Sequence, residues 1–191
     1  MRTHHRAILL CTVAFGLVLP CGCAKKQNVP TTPVPLVISI SQSPQPFTIV
    51  RPADVALALG SLGIPPQFNP PVVSPPANQV VVFHEQTFFG REGGSADGGH
   101  AHLVVAEETI YDWLWSSEND RTIQKAVAVT FAHEIGHAFL GTGPFVHVGS
   151  GDNVMCPSID EMLPRLQQCR WPEFNANQRS TIRTKLGYPP D

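Results

Sequence analysis

The pentapeptide His133-Glu134-Ile135-Gly136-His137 constrains this chain more than any other stretch. On a helix, residues i and i+4 stand on one face, a turn apart. His133 and His137 would then offer two imidazoles to a single point, with the Glu134 carboxylate beside them. Two such donors can grip one metal ion, and an adjacent carboxylate can serve as a base.

The surrounding residues predict that helix. Ser117-Glu118-Asn119-Asp120 fits a capping box with Asp in place of the usual Glu or Gln, so the helix is expected to begin at Ser117. Ile123, Val127, Phe131 and Ile135 recur every four residues and should face the core. The helix should end near Leu140, with Gly141 free to take a left-handed cap. The two imidazoles fall on its last turns.

Upstream the pattern is more broken. Leu36 to Ile40 and Phe47 to Val50 read as short strands, and Asp54 to Leu62 as a short helix ended by Gly63 and Pro65. Proline is dense as far as Pro76, so this half reads as ordered but sparsely regular. Gln79 to His84 is a strand, Glu85 to Gly99 a Gly-rich loop, and Ala101 to Glu107 a second strand. Tyr111 to Trp115 reads as a turn or short helix, with Trp113 and Trp115 as core or rim packing. Downstream, a glycine-rich loop leads to Asn153-Val154-Met155-Cys156-Pro157. A last helix is expected from an N-cap at Asn175, over Ala176 to Leu186, stopped by Gly187 and Pro189.

At the N-terminus, Arg2 and Arg6 precede an apolar run from Ala7 to Leu19, which has the length of a secretory segment and is too short to span a bilayer. Cys21 or Cys23 directly after it resembles a bacterial lipoprotein cleavage site, and lipid on one of them would anchor the chain to a membrane. Ordinary secretion with cleavage nearby is the alternative. The reading is a signal over residues 1–22, a Pro-rich tether over 23–35 and one domain over 36–191, best defined over 79–189. The hydrophobic fraction of the whole chain, 42%, is enough for a core, and a monomer is expected. A net charge of −2 with no basic stripe argues against nucleic acid as a partner. Only Cys156 and Cys169 belong to the body of an exported chain, and an oxidising compartment favours pairing them.

The segment HEIGHAFLGTGPFVHVGSGDNVMCP resembles the metzincin zinc peptidases, most nearly their matrixin branch. Gly136 before the second His, His147 eight residues before Met155, the Asn153–Pro157 turn and the closing Phe174–Pro189 segment all match. Three departures stand out. The N-terminal half is thin, as if a strand of the usual sheet were lacking. His147 follows His137 by ten residues where the family has six, which reads as an insertion of about Thr142 to Phe145, and Cys156 stands where Tyr is common.

The resemblance implies an α+β fold. It would have a small mixed sheet with an edge strand, a long active-site helix, a Met-turn and a C-terminal helix. It further implies one catalytic Zn²⁺ on His133, His137 and His147, Glu134 as general base, and Met155 as an apolar floor. A peptide or protein substrate would lie along the strand Ala101–Glu107, with Gly99, Ala101 and Leu103 as its rim, and Pro157 to Leu163 would wall the pocket beyond the scissile bond. Glu161 is the rival third ligand. His84, Asp97, His100 and His102 could hold a second, structural metal, but their spacing fits poorly and rim residues are the preferred reading. Two further functions stay open: a catalytically silent peptide-binding relative, and an envelope protein in which zinc only holds the fold.

Overall fold

The computed structural model describes residues 32–41, 50–68, 78–85, 94–96, 103–141 and 146–191. Among these residues five strands form one sheet: β1 (Val37–Ser41), β2 (Gln67–Phe68), β3 (Gln79–Glu85), β4 (Gly94–Ala96) and β5 (Leu103–Ala106). Their order is β2-β1-β3-β5-β4. All neighbours are parallel except β4, which runs antiparallel to β5 and occupies one edge. Leu36, Ile38, Val80, Leu103 and Val105 are fully buried. Such apolar runs suit parallel strands, which are covered by other elements.

The mixed sheet agrees with the expectation; its edge does not. β5 lies between β3 and β4, so the expected edge strand is internal, and the edge belongs to β4, inside what reads as a Gly-rich loop. Three short residues, Gly94-Ser95-Ala96, carry too little apolar pattern to announce a strand. Their pairing with Leu103 to Val105 supplies it.

Among the described residues there are five helices: α1 (Pro52–Ala58), α2 (Glu107–Leu114), α3 (Asp120–Leu140), α4 (Ile159–Gln167) and α5 (Ala176–Lys185). A 3₁₀ turn at Gly60–Leu62 extends α1. The central element is α3, which touches the sheet and each of the other helices. Nearly all its residues from Thr122 to Phe139 are buried, Ile123, Val127, Phe131 and Ile135 among them. A helix apolar on most of its circumference belongs inside a domain.

α3 begins later than Ser117. Asn119 is the N-cap, its Oδ1 accepting from Thr122 N at 3.0 Å, while the Ser117 hydroxyl donates to Leu114 O. The Ser hydroxyl is thus engaged by the end of α2, and the next residue able to cap takes the role. α2 is longer than the sequence suggests, and Trp113 and Trp115 stand exposed on and beyond its last turn rather than packed. Close to the cap of α3, buried Asp54 receives Arg121 through two bonds (2.7 and 2.8 Å) and Arg51 Nε at 2.8 Å, which fastens α1 to the first turn of α3.

At the far end, α5 starts with the expected cap. Asn175 and Gln178 form a reciprocal capping box, and Gly187 (φ 75) provides the left-handed exit. The signal, the tether as far as residue 31 with Cys21 and Cys23, residues 47–49 of the expected strand Phe47–Val50 and the segment 142–145 lie outside the described residues, and Val50 itself is in no strand. The last tether residues are fastened to the domain: Val34 N donates to Leu186 O at 3.0 Å, and Pro35 O accepts from Asn78 Nδ2 at 2.8 Å. Among the described residues no helix is long and apolar enough to cross a membrane.

Candidate metal centre

α3 delivers His133, Glu134 and His137 over its last two turns, and His147, beyond the helix, stands against the two imidazoles. The nitrogens His133 Nε2 and His137 Nε2 are 3.1 Å apart, as are His137 Nε2 and His147 Nε2. One ligand atom from each of the three residues lies within 4.8 Å of the others. His133 and His147 rings are near parallel (18°, centroids 5.2 Å apart), and the His137 ring stands edge-on to both.

Which nitrogen is free follows from the opposite side of each ring. His133 Nδ1 lies 2.9 Å from Val154 O, and His137 Nδ1 lies 2.7 Å from Gly141 O. A carbonyl oxygen only accepts, so each Nδ1 carries the proton and donates. In the neutral ring Nε2 then has a lone pair and no hydrogen. Burial pushes the His133 imidazolium down to about 4, outweighing the opposing effect of the Val154 bond, and the two neighbouring imidazoles lower it further. Burial likewise lowers His137. Two lone pairs thus face each other at 3.1 Å with no proton between them, an arrangement that repels unless a cation sits among them. Nitrogens bound at about 2.0–2.1 Å to a tetrahedral zinc would stand about 3.3 Å apart, close to the spacing seen. The donor set fits a three-His zinc site, and the carbonyls of Val154 and Gly141 supply the outer partners that such ligands ordinarily need.

Gly141 has two tasks. Its N–H caps α3 by donating to His137 O, and its carbonyl turns back to the His137 ring. This takes φ 93 with ψ −178, a region open to glycine rather than the left-handed helical cap expected from sequence. Fully buried Met155 packs against Gly136, the residue before His137, where an added Cβ would meet Met155 Sδ at 2.5 Å and Phe174 at 3.0 Å. Glu134 is buried beside the pair.

The turn that carries Met155 is held from several sides. Asn153 Oδ1 accepts from Met155 N (2.8 Å), Val154 N donates to Glu173 O (3.2 Å), and Arg165 on α4 pairs with Asp152. At Gly151 a Cβ would fall 1.8 Å from Glu161 O, so only glycine permits this approach of turn and helix.

Other expected site residues fare differently. Glu161, the rival ligand, lies on α4 with its Oε2 3.6 Å from Cys156 Sγ and is not among the three converging ligands. Leu103 is fully buried in an internal strand and forms no rim. Gly99, Ala101, Asp97, His100 and His102 lie outside the described residues, as does the side chain of His84. Cys156 and Cys169 are unpaired thiols, one buried and the other exposed, against the expected disulfide. The Cys156 thiol donates to Ser158 O, whereas Cys169 Sγ is met by the Lys125 ammonium at 3.2 Å, so the two sulfurs are engaged by different parts of the structure.

Sequence reasoning missed the two orienting carbonyls, the Gly136 contact and the Asn153 amide. Only the glycines left a trace in the sequence, as residues standing beside the metal-binding pattern.

No family model and no curated protein matches this chain. Among solved structures, it is similar to a zinc-dependent peptidase from Methanocorpusculum labreanum (strain Z), at 15% identity and a TM-score of 0.52. The match covers 78% of this chain and 99% of that one. At so low an identity the likeness shows a shared fold.

Proposed function

We propose that this chain is a zinc-dependent endopeptidase of the metzincin type, matrixin-like, with His133, His137 and His147 as ligands and Glu134 as general base. The observation that carries the reading is the convergence of three imidazoles, two of them with their free Nε2 set by backbone carbonyls, beside a buried carboxylate. The fold shared with a zinc-dependent peptidase is in keeping with it. When bound, zinc would supply an acidified water and polarise the scissile carbonyl. Glu134 would take the proton from the attacking water and pass it to the leaving amine. His133 and His137 remain neutral near pH 7, as ligands must.

Substrate would add as a further strand at β4, which is the edge of the sheet among the described residues. Export with a lipid on Cys21 or Cys23, and action as a monomer on peptides or proteins, complete the proposal.

Glu134→Gln tests it. The variant should bind zinc like the parent and lose peptide cleavage by about 10²–10⁴-fold, the usual worth of a general base. Cleavage at the parental rate by Glu134→Gln would refute the enzyme reading. A parent protein that holds zinc but cleaves no peptide in a broad library would favour the silent relative.

A further inference from the structure

His147 reaches the site from a segment that no helix carries, ten residues after His137. Its position therefore depends on what holds its neighbours. Val148 N donates to Met155 O at 3.0 Å, and Val146 O accepts from Gln178 Nε2 at 3.2 Å. The residues on both sides of His147 are thus clamped. Both clamps lead to the same side chain. Met155 N is held by Asn153 Oδ1 (2.8 Å), and Asn153 Nδ2 donates to Gln178 Oε1 (3.0 Å).

Gln178 is buried at the third position of α5. Its Oε1 accepts from both Asn153 Nδ2 and Asn175 N, each at 3.0 Å, which fills that oxygen and fixes the orientation of the amide. A flipped amide would set its NH₂ against two donors. The NH₂ is therefore committed to the Val146 carbonyl. The helix cap alone does not ask for this, because a Glu at the same position closes a capping box equally well. The amide nitrogen has its use in the ligand loop.

We infer that Gln178 is a positioning residue for the metal centre: its amide ties the loop bearing His147 to the Met155 turn, so that α5 rather than the loop itself sets the third imidazole. The inference rests on reading the three imidazoles as metal ligands. It assigns to the closing helix a part in holding metal, and it accounts for how a lengthened loop still returns His147 to the other two.

The test is a Co²⁺ titration of the full chain, followed by ligand-field absorption, with urea unfolding of the metal-free protein alongside. Gln178→Glu keeps the cap acceptor and removes the donor to Val146. Gln178→Met keeps the volume without adding charge, and decides the matter if the buried carboxylate prevents folding. The expected result is a loss of Co²⁺ affinity of about 10-fold, the lower end of the effect of removing a group bonded directly to a ligand, with an altered absorption envelope. Unchanged affinity and absorption in the folded variants would overturn the inference, and so would a lowered urea midpoint with affinity intact, which marks a merely structural role. His147→Ala separates the two levels. If it binds Co²⁺ as the parent does, the metal-centre reading itself fails.

Discussion

Gly136 stands so close to Met155 that a methyl group on its Cα would come within 2.5 Å of the Met155 sulfur. The contact lies between α3, at the residue before His137, and the turn that carries Met155, and it sets how near that turn can approach. Gly136→Ala should therefore destabilise the protein by about 1–3 kcal/mol, the range for overpacked cores. Helix propensity alone predicts the opposite sign, a gain of about 1 kcal/mol. Gly149→Ala, where an added Cβ meets nothing within 4 Å, is the control and should stay within about 0.5 kcal/mol of the parent. Urea unfolding reads both, and a stabilised Gly136→Ala would contradict the packing described.

Metal removal should be visible as a loss of stability. A ligand that binds only the folded chain adds about 2.7 kcal/mol at a free concentration one hundred times its dissociation constant. Chelation should lower the melting temperature of the parent, and zinc should restore it. His133→Ala, His137→Ala and His147→Ala should each abolish that response, while Glu161→Ala retains it, because the Glu161 carboxylate is placed against Cys156. Loss of the zinc response in Glu161→Ala alone would exchange the third ligand.

Asp54 links stability to acid. Its carboxyl is held below the ordinary carboxylate range, first by the Arg121 hydrogen bonds and also by Arg51, against the opposing cost of burial. A lowered folded-state pKa adds stability that is fully present above the unfolded value of about 3.9 and is lost as pH falls through the lowered one. Asp54→Asn should cost about 1.5–3 kcal/mol near neutral pH, as expected for hydrogen bonds to a charged group. The difference from the parent should be flat from pH 5 to 8 and shrink below about pH 4. A gap that persists undiminished into acid would assign the loss to something other than this carboxylate.

The two cysteines should label differently. Cys169 is exposed, whereas Cys156 is buried and its thiol pushed up, chiefly by burial. Alkylation of the native protein, mapped by peptide mass, should mark Cys169 first and Cys156 only on unfolding. Recovery of a Cys156–Cys169 cross-linked peptide from the oxidised protein would restore the expected disulfide in place of the thiols seen.

Much of the site was legible because it is local. His133, Glu134 and His137 follow from one spacing on one helix, and the Asn175 cap and Gly187 exit from the chemistry of helix ends. Short-range competition misled where two residues could do one job. Ser117 and Asn119 can each cap a helix, and only the engagement of Ser117 by Leu114 O decides between them. The β4 edge was illegible for a different reason. A three-residue strand has no periodicity of its own and exists through its partner.

The sequence by itself determined that two imidazoles and a carboxylate share a helical face, since that is a property of neighbouring residues. It also carried the spacing of His147 from Met155. Tertiary structure alone decided that the Val154 and Gly141 carbonyls turn the ring nitrogens toward a common point, that β4 closes the sheet and that the sulfurs of Cys156 and Cys169 stay apart. Val154 comes from a segment well beyond the helix, and even the near partners, Gly141 and β4, take their places through a backbone conformation and a pairing that packing sets; spacing along the chain does not.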